Sequence, residues 1–296
     1  MDDEFQEVRD NFYIGNFQKA FQLCEATTGL NDVAQSECDA TYARACLAMG
    51  MYDKLKAMQN SECAGQKAAA LTAVLTKSKN EQQRQQAKER LVTLAKETHD
   101  MSSAALAACM LASDGSWQDA VAMTQAHPTM EMQAMHVFFL LMCNQVDQAE
   151  KRMTNIAGQN DDSATFRLCQ AAVNIATGNA EEAYLICCDL ASQYPTGEGE
   201  DGSQGSALLL TCKAVANMHR GMFTEALEDL QRALALAPND PDVLVNICSC
   251  MINLGRKEEF QQHYAKLEQV APTHPYVVKT QGLKTGIARF KASLSA

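Results

Sequence analysis

Proline is scarce in this sequence: six residues in 296, at positions 128, 195, 238, 241, 272 and 275. Aromatics are few as well, 6% against 47% hydrophobic residues overall. With so few helix breakers and abundant Ala, Leu, Met and Gln, the chain favours helix almost throughout and has ample apolar material for a core. No apolar run approaches the roughly 20 residues that a bilayer-spanning helix needs. The opening segment MDDEFQEVRD is acidic and lacks the basic start and apolar centre of a signal peptide, so a soluble, cytosolic protein is expected. Basic residues are in deficit: 25 Lys and Arg against 36 Asp and Glu give a net charge of −11. That balance argues against a phosphate-backbone partner and weakens direct attraction to anionic lipid.

The patterns of catalysis and metal binding are missing too. No GxSxG, Walker loop or GxGxxG occurs, and GEGEDG near residue 200 would repel a phosphate with its own carboxylates. None of His99, His127, His136, His219, His263 and His274 stands at metal-ligand spacing in an HExxH-like pattern. Twelve cysteines are scattered through apolar helical stretches. Cys187-Cys188 and Cys248-Ser249-Cys250 fall in mid-helix, where neighbouring side chains diverge by about 100°. They read as buried thiols rather than zinc ligands, and no catalytic residue, metal or cofactor is expected.

What is present is a repeat. Gly221 and Gly255 lie 34 residues apart, as do Pro238 and Pro272, and Pro241 and Pro275. That period is the length of one tetratricopeptide unit, two antiparallel helices and their turns. Each copy has an apolar helix A, a glycine turn, and an amphipathic helix B that ends in proline. The turn reads small residue, spacer, aromatic or apolar residue, two spacers, alanine. The glycine tolerates positive φ, the aromatic plugs the mouth of the pair, and the alanine lets helices A and B cross closely.

Traced backward, GMFTEA gives Gly221, Phe223 and Ala226, while GRKEEF keeps only the glycine, with Lys257 and Phe260 at the other two places. GNAEEA gives Gly178 and Ala183, with Pro195 closing its helix B; NQVDQA gives Asn144, Val146 and Ala149. GSWQDA gives Gly115, Trp117 and Ala120; GMYDKL gives Gly50, Tyr52 and Leu55; GNFQKA gives Gly15, Phe17 and Ala20. The 65 residues from Gly50 to Gly115 leave room for one further pair without a turn signature. CAGQKAAALTAVLTK and EQQRQQAKERLVTLAKETHD fit it, the second so polar that only LVTLA reads as buried. The expectation is a single all-α domain over 1–296, a right-handed tetratricopeptide-like superhelix of about eight helix pairs. Its clearest units are 164–195, 207–240 and 241–274, an acidic glycine-rich insertion occupies 196–206, and a polar-faced cap helix spans 276–291.

In such a stack the A helices line the inner, concave wall. Counting the turn glycine as position 15, positions 5, 9 and 12 face inward. That rule selects Phe138 and Leu141, Leu168 and Ile175, Val215 and Met218, and Val245 and Ile252. The wall is apolar and partly Met-lined, which suits an extended or hairpin segment of a partner. Periodicity alone leaves open that some of these side chains pack against the neighbouring unit.

Two stretches carry a family resemblance. DEFQEVRDNFYIGNFQKAFQLCEA, with Phe12, Tyr13, Ile14, Gly15 and Phe17, resembles the start of the coatomer epsilon subunit family. LVNICSCMINLGRKEEFQQHYAKLEQVAPTHPYVVK is similar to that family's C-terminal stretch, with Leu254-Gly255 and the run His274, Pro275, Tyr276. The resemblance implies a tetratricopeptide-like scaffold that binds and stabilises the C-terminal domain of the coatomer alpha subunit. It would then serve the COPI coat in Golgi-to-ER and intra-Golgi transport, and reach Golgi membranes and vesicles only through its partners. Two other readings stay open: a peptide-binding adaptor or cochaperone, which would carry a basic clamp on the inner wall, and a helical lid or regulatory subunit of a cytosolic enzyme complex.

Overall fold

The computed structural model describes residues 5–158, 162–195 and 205–294. Among them every regular element is a helix, and the helices group into two compact units, Met1–Thr177 and Gly178–Ala296. The first unit begins with α1 (Gln6–Tyr13), α2 (Phe17–Ala26), α3 (Asp32–Ala48) and the short α4 (Tyr52–Ala57). It continues through α5 (Ala64–Lys77), α6 (Glu81–Thr98), α7 (Met101–Ser113) and α8 (Trp117–Gln125), and ends with α9 (Met130–Met142), α10 (Val146–Ile156) and α11 (Ala164–Ala176). The second unit holds α12 (Ala180–Gln193), α13 (Ala207–His219), α14 (Phe223–Leu236), α15 (Pro241–Asn253), α16 (Lys257–Val270) and α17 (Pro275–Leu294). In chain order the helices alternate A and B through α16.

Two kinds of turn produce that alternation. From A to B, the chain passes through one left-handed residue: Gly15, Gly50, Gly115, Gly178, Gly221 and Gly255 all have φ between +71° and +86°. Asn144 takes the same role at φ +57°, as an asparagine can where no glycine stands. From B to A, a side chain caps the next helix at six turns: Asn31, Asp100, Thr129, Ser163, Ser206 and Asp240 each accept a backbone N–H from its first turn, whereas α5 is entered through Cys63 with no side-chain cap. The A-to-B turn from α5 to α6 has no left-handed residue. Its chain leaves α5 through an extended Ser78, and Asn80 caps α6 by accepting from the N–H groups of Gln82 and Gln83. A capped turn needs no glycine, which is why the pair lacks the glycine signature.

Packing rests on small residues at the crossings. Ala20, Ala120, Ala149, Ala183 and Ala226 are fully buried, and Leu55 is too. At Gly65 the approach is closer still: a Cβ there would lie 2.3 Å from the Cβ of Ala40, so even alanine is excluded unless α3 and α5 separate. Between the crossings, Leu91, Met132 and Ile156 fill the first unit, and Leu209, Leu230, Ile247 and Leu267 the second. Each such burial contributes about 1.5–3 kcal/mol before entropy is counted. Pro195, Pro238 and Pro272 each follow a helix B by two residues. The residues before them, Tyr194, Ala237 and Ala271, have ψ of 68–76°, outside the helical region that a following proline disfavours.

Several expectations are corrected. α6 buries Ala87 as well as Leu91 and Ala95, so its apolar stripe starts a turn before LVTLA; Ala87, Leu91 and Ala95 at four-residue spacing mark it. Residues 196–204 of the insertion lie outside the described residues. Gly205 and Ser206 are buried and belong to the start of α13, Gly205 because a Cβ would press on Ala191 and Leu209. The final helix is longer than 276–291, and its exposed face is not purely polar: Leu283, Ile287 and Phe290 are in solvent. Among residues 275–293 only Val277 is buried, so nothing in the unit covers them.

Candidate functional site

In the first unit, Phe138 is 41% exposed on α9, whereas Phe139 beside it is buried. Leu141 is half-buried and packs against the core formed by α9, α10 and α11. Leu168 and Ile175 on α11 are half-buried. In the second unit, Val215 is half-buried, and Met218 and Val245 pack against their own cores. Ile252 is 56% exposed. The 5-9-12 rule thus selects exposed, half-buried and core-packed side chains alike, because the depth of a helix face depends on what its neighbours place over it.

Other exposed apolar residues lie on the same helices. Met142, four residues after Phe138, is 70% exposed, and Leu208, seven before Val215, is 42% exposed. The helical repeat of four and seven residues was the available signal for both. With the half-buried Cys212, Leu208 and Val215 form one stripe along α13.

A second feature of the first unit is polar. The phenol of Tyr13 donates to Glu131 Oε2 at 2.8 Å, and both terminal nitrogens of Arg44 donate to the same carboxylate. The Arg44 guanidinium stands 4.7 Å from the Phe12 ring centroid, and Phe12 meets Phe17 edge-on. Ile14 is fully buried. Arg9 holds Glu37 with two hydrogen bonds of 2.6 and 2.8 Å, and Asp10 Oδ1 accepts the backbone N–H of Ala164 at 3.3 Å. α1 is therefore fastened to α3, α9 and α11, over a cavity of about 250 Å³ lined by Arg9, Tyr13, Glu37, Met101, Glu131 and Ser163 among others. Burial, and then Glu131, pushes the Tyr13 phenol well above its ordinary value. Burial works against the Arg44 charge, but Glu131 outweighs it and the guanidinium pKa is raised. This is an arrangement for holding helices together: its carboxylate and guanidinium already satisfy each other.

The C-terminal run has an equally local role. His274 Nδ1 accepts the N–H of Tyr276 at 3.2 Å, Pro275 occupies the first turn of α17, and Tyr276 meets Tyr264 edge-on. Among the described residues no group of three or more His, Cys, Asp or Glu side chains could hold a metal ion. Burial pushes the Cys248 and Cys250 thiols up to about 11, which keeps them protonated and unreactive near neutral pH. No helix among the described residues is long and apolar enough to cross a membrane.

The family model described as "Coatomer epsilon subunit" matches residues 1–293. Coatomer subunit epsilon-1 of Oryza sativa subsp. japonica is 26% identical over 285 residues, covering 95% of each chain. Among solved structures, a tetratricopeptide repeat protein from Parabacteroides merdae aligns over 93% of this chain and 95% of its own, with a TM-score of 0.52 at 13% identity. A chain of the Cut9–Hcn1 tetramer of the APC/C aligns over 92% of this chain and 53% of its own, with a TM-score of 0.62 at 12% identity. The solved structures speak for the fold alone: an all-α, tetratricopeptide-like helical repeat.

Proposed function

The chain belongs to the coatomer epsilon subunit family, and from that premise we propose that it binds and stabilises the C-terminal domain of the coatomer alpha subunit through its A-helix walls. As a coat component of the COPI type it associates with other coatomer subunits. In the proposed role, residues 1–296 act as one helical-repeat scaffold, and the coat they serve carries traffic from Golgi to ER and within the Golgi. The protein meets Golgi membranes through its partners.

The observation that carries the reading is the pair Phe138 and Met142. Two large apolar side chains stand in solvent on one face of α9, while the other face, with Val137 and Leu140, is buried. Apolar groups held open on a well-packed helix mark a surface that another chain covers. Leu168, Ile175 and Val215 contribute half-buried apolar area, and Ile252 an exposed tip. Leu141, Met218 and Val245 shape the wall by packing beneath it.

The test is affinity for the purified C-terminal domain of the alpha subunit. Phe138→Asp should weaken binding at least tenfold, and Phe138→Ala should cost about 2–4 kcal/mol if the ring is a central anchor. Both variants should melt with the parent, because Phe138 lies outside the core. Unchanged binding of Phe138→Asp would overturn the assignment.

A further inference from the structure

The last helix carries a surface that the proposed A-helix walls do not use. Among residues 275–293 Val277 is the last buried one, and every residue from 281 to 293 is exposed, about 20 Å of helix at 1.5 Å per residue. Leu283, Ile287 and Phe290 fall at i, i+4 and i+7 and are 68%, 56% and 64% exposed. That spacing puts them on a single stripe, the register with which a helix anchors itself in a groove. Charge is the second observation. Residues 275–296 contain Lys279, Lys284, Arg289 and Lys291 and not one Asp or Glu, in a chain whose net charge is −11. The cations therefore stand apart in sign from the rest of the molecule.

We propose that the C-terminal half of α17 is a docking helix, which seats the Leu283, Ile287 and Phe290 stripe in an apolar groove of another protein chain rimmed by Asp and Glu side chains. An anionic membrane is the poorer fit. The stripe has only three large side chains across residues 281–293, Gly282 and Gly286 interrupt it, and that stretch has no Trp or Tyr. The acidic body would also be repelled by an anionic lipid surface. A groove asks less of the helix: three anchors suffice, and the acidic rim pairs with cations already beside them. Lys284 illustrates the geometry, its ammonium lying 4.3 Å from the Tyr264 ring centroid at the point where α17 leaves α16.

The experiment is hydrogen–deuterium exchange on the full chain, free and inside the purified coat complex of its own source. Amides 281–293 should exchange rapidly in the free chain, since solvent-exposed helix with no buried side chain opens readily. In the complex they should slow at least tenfold. Leu283→Asp with Phe290→Asp should abolish the slowing or release the chain from the complex, with an unchanged melting temperature. Lys284→Glu with Lys291→Glu should reduce the slowing, most strongly at low salt. Three results would overturn the proposal: exchange unchanged in the complex; slowing in the free chain that grows with concentration, which makes a second copy the occupant; or slowing only with phosphatidylserine vesicles. Failure of the A-helix wall reading is separate, since it shows as Phe138→Asp leaving alpha-subunit binding intact.

Discussion

The first and last helices of the chain are held in opposite ways. α1 has eight residues, too few to be helical alone, and it is fixed by specific polar contacts. Arg9 grips Glu37, Asp10 accepts from Ala164, and Tyr13 reaches Glu131, a residue 118 positions away. α17 has twenty residues, yet its buried apolar anchorage is confined to its start, through Val277, Tyr276 and the His274 cap; beyond it the described contacts to α16 are polar, Gln281 with Glu268 and Lys284 over Tyr264. At the N-terminal end, polar side chains are buried and apolar ones cover them; at the C-terminal end, apolar side chains stand in water. A terminal helix is therefore not defined by its length or apolar content. It belongs to the fold when its contacts are internal, and it is available to another chain when they are not.

The largest effect that could break this contrast is at Glu131. Glu131→Ala leaves the buried Arg44 guanidinium without its carboxylate, and should lower stability by about 3–5 kcal/mol, read from urea unfolding. Tyr13→Phe removes one hydrogen bond to that charged group and should cost about 1.5–3 kcal/mol. The same residue sharpens the comparison through pH. Because the Tyr13 phenol is raised above its ordinary 10.0, the folded state keeps a proton that the unfolded state gives up. Stability contributed here is present below pH 10 and falls as pH rises beyond it; Tyr13→Phe should lack that part of the slope between pH 9 and 11. The smallest effect is at the other end. Ending the chain after Gln281 removes only exposed helix, and should change stability by no more than about 0.5 kcal/mol. A loss comparable to that of Glu131→Ala would mean that α17 is as internal as α1.

Much of the repeat could be read locally. A glycine needs only its own backbone to turn left-handed, so the positions from Gly15 to Gly255 stood out, and Asn144 could be placed among them by spacing. The α5–α6 turn escaped because Asn80 does through a side-chain cap what glycine does elsewhere. Its polar surroundings in α6 hid the apolar stripe beginning at Ala87. The wall residues were only partly legible. Phe138 and Leu141 have the same phase relation to their turn as Val215 and Met218, yet one is exposed and the others are half-buried or packed on a core. Phase describes direction from the helix axis; exposure depends on the size and tilt of the neighbouring helix.

By itself the sequence determined the helical content, the 34-residue period, the turn positions and the family resemblance in the runs around Gly15 and His274. These follow from dihedral preferences and from spacing along one chain, which need no distant partner. Only the tertiary structure decided what those runs do: Phe12, Tyr13 and Gly15 bring α1 to Arg44 and Glu131, while His274, Pro275 and Tyr276 start a helix whose residues 281–293 are exposed. Contacts across 118 residues, and the solvent exposure of residues 281–293, depend on how helices stack in three dimensions. A period along the chain carries no record of either.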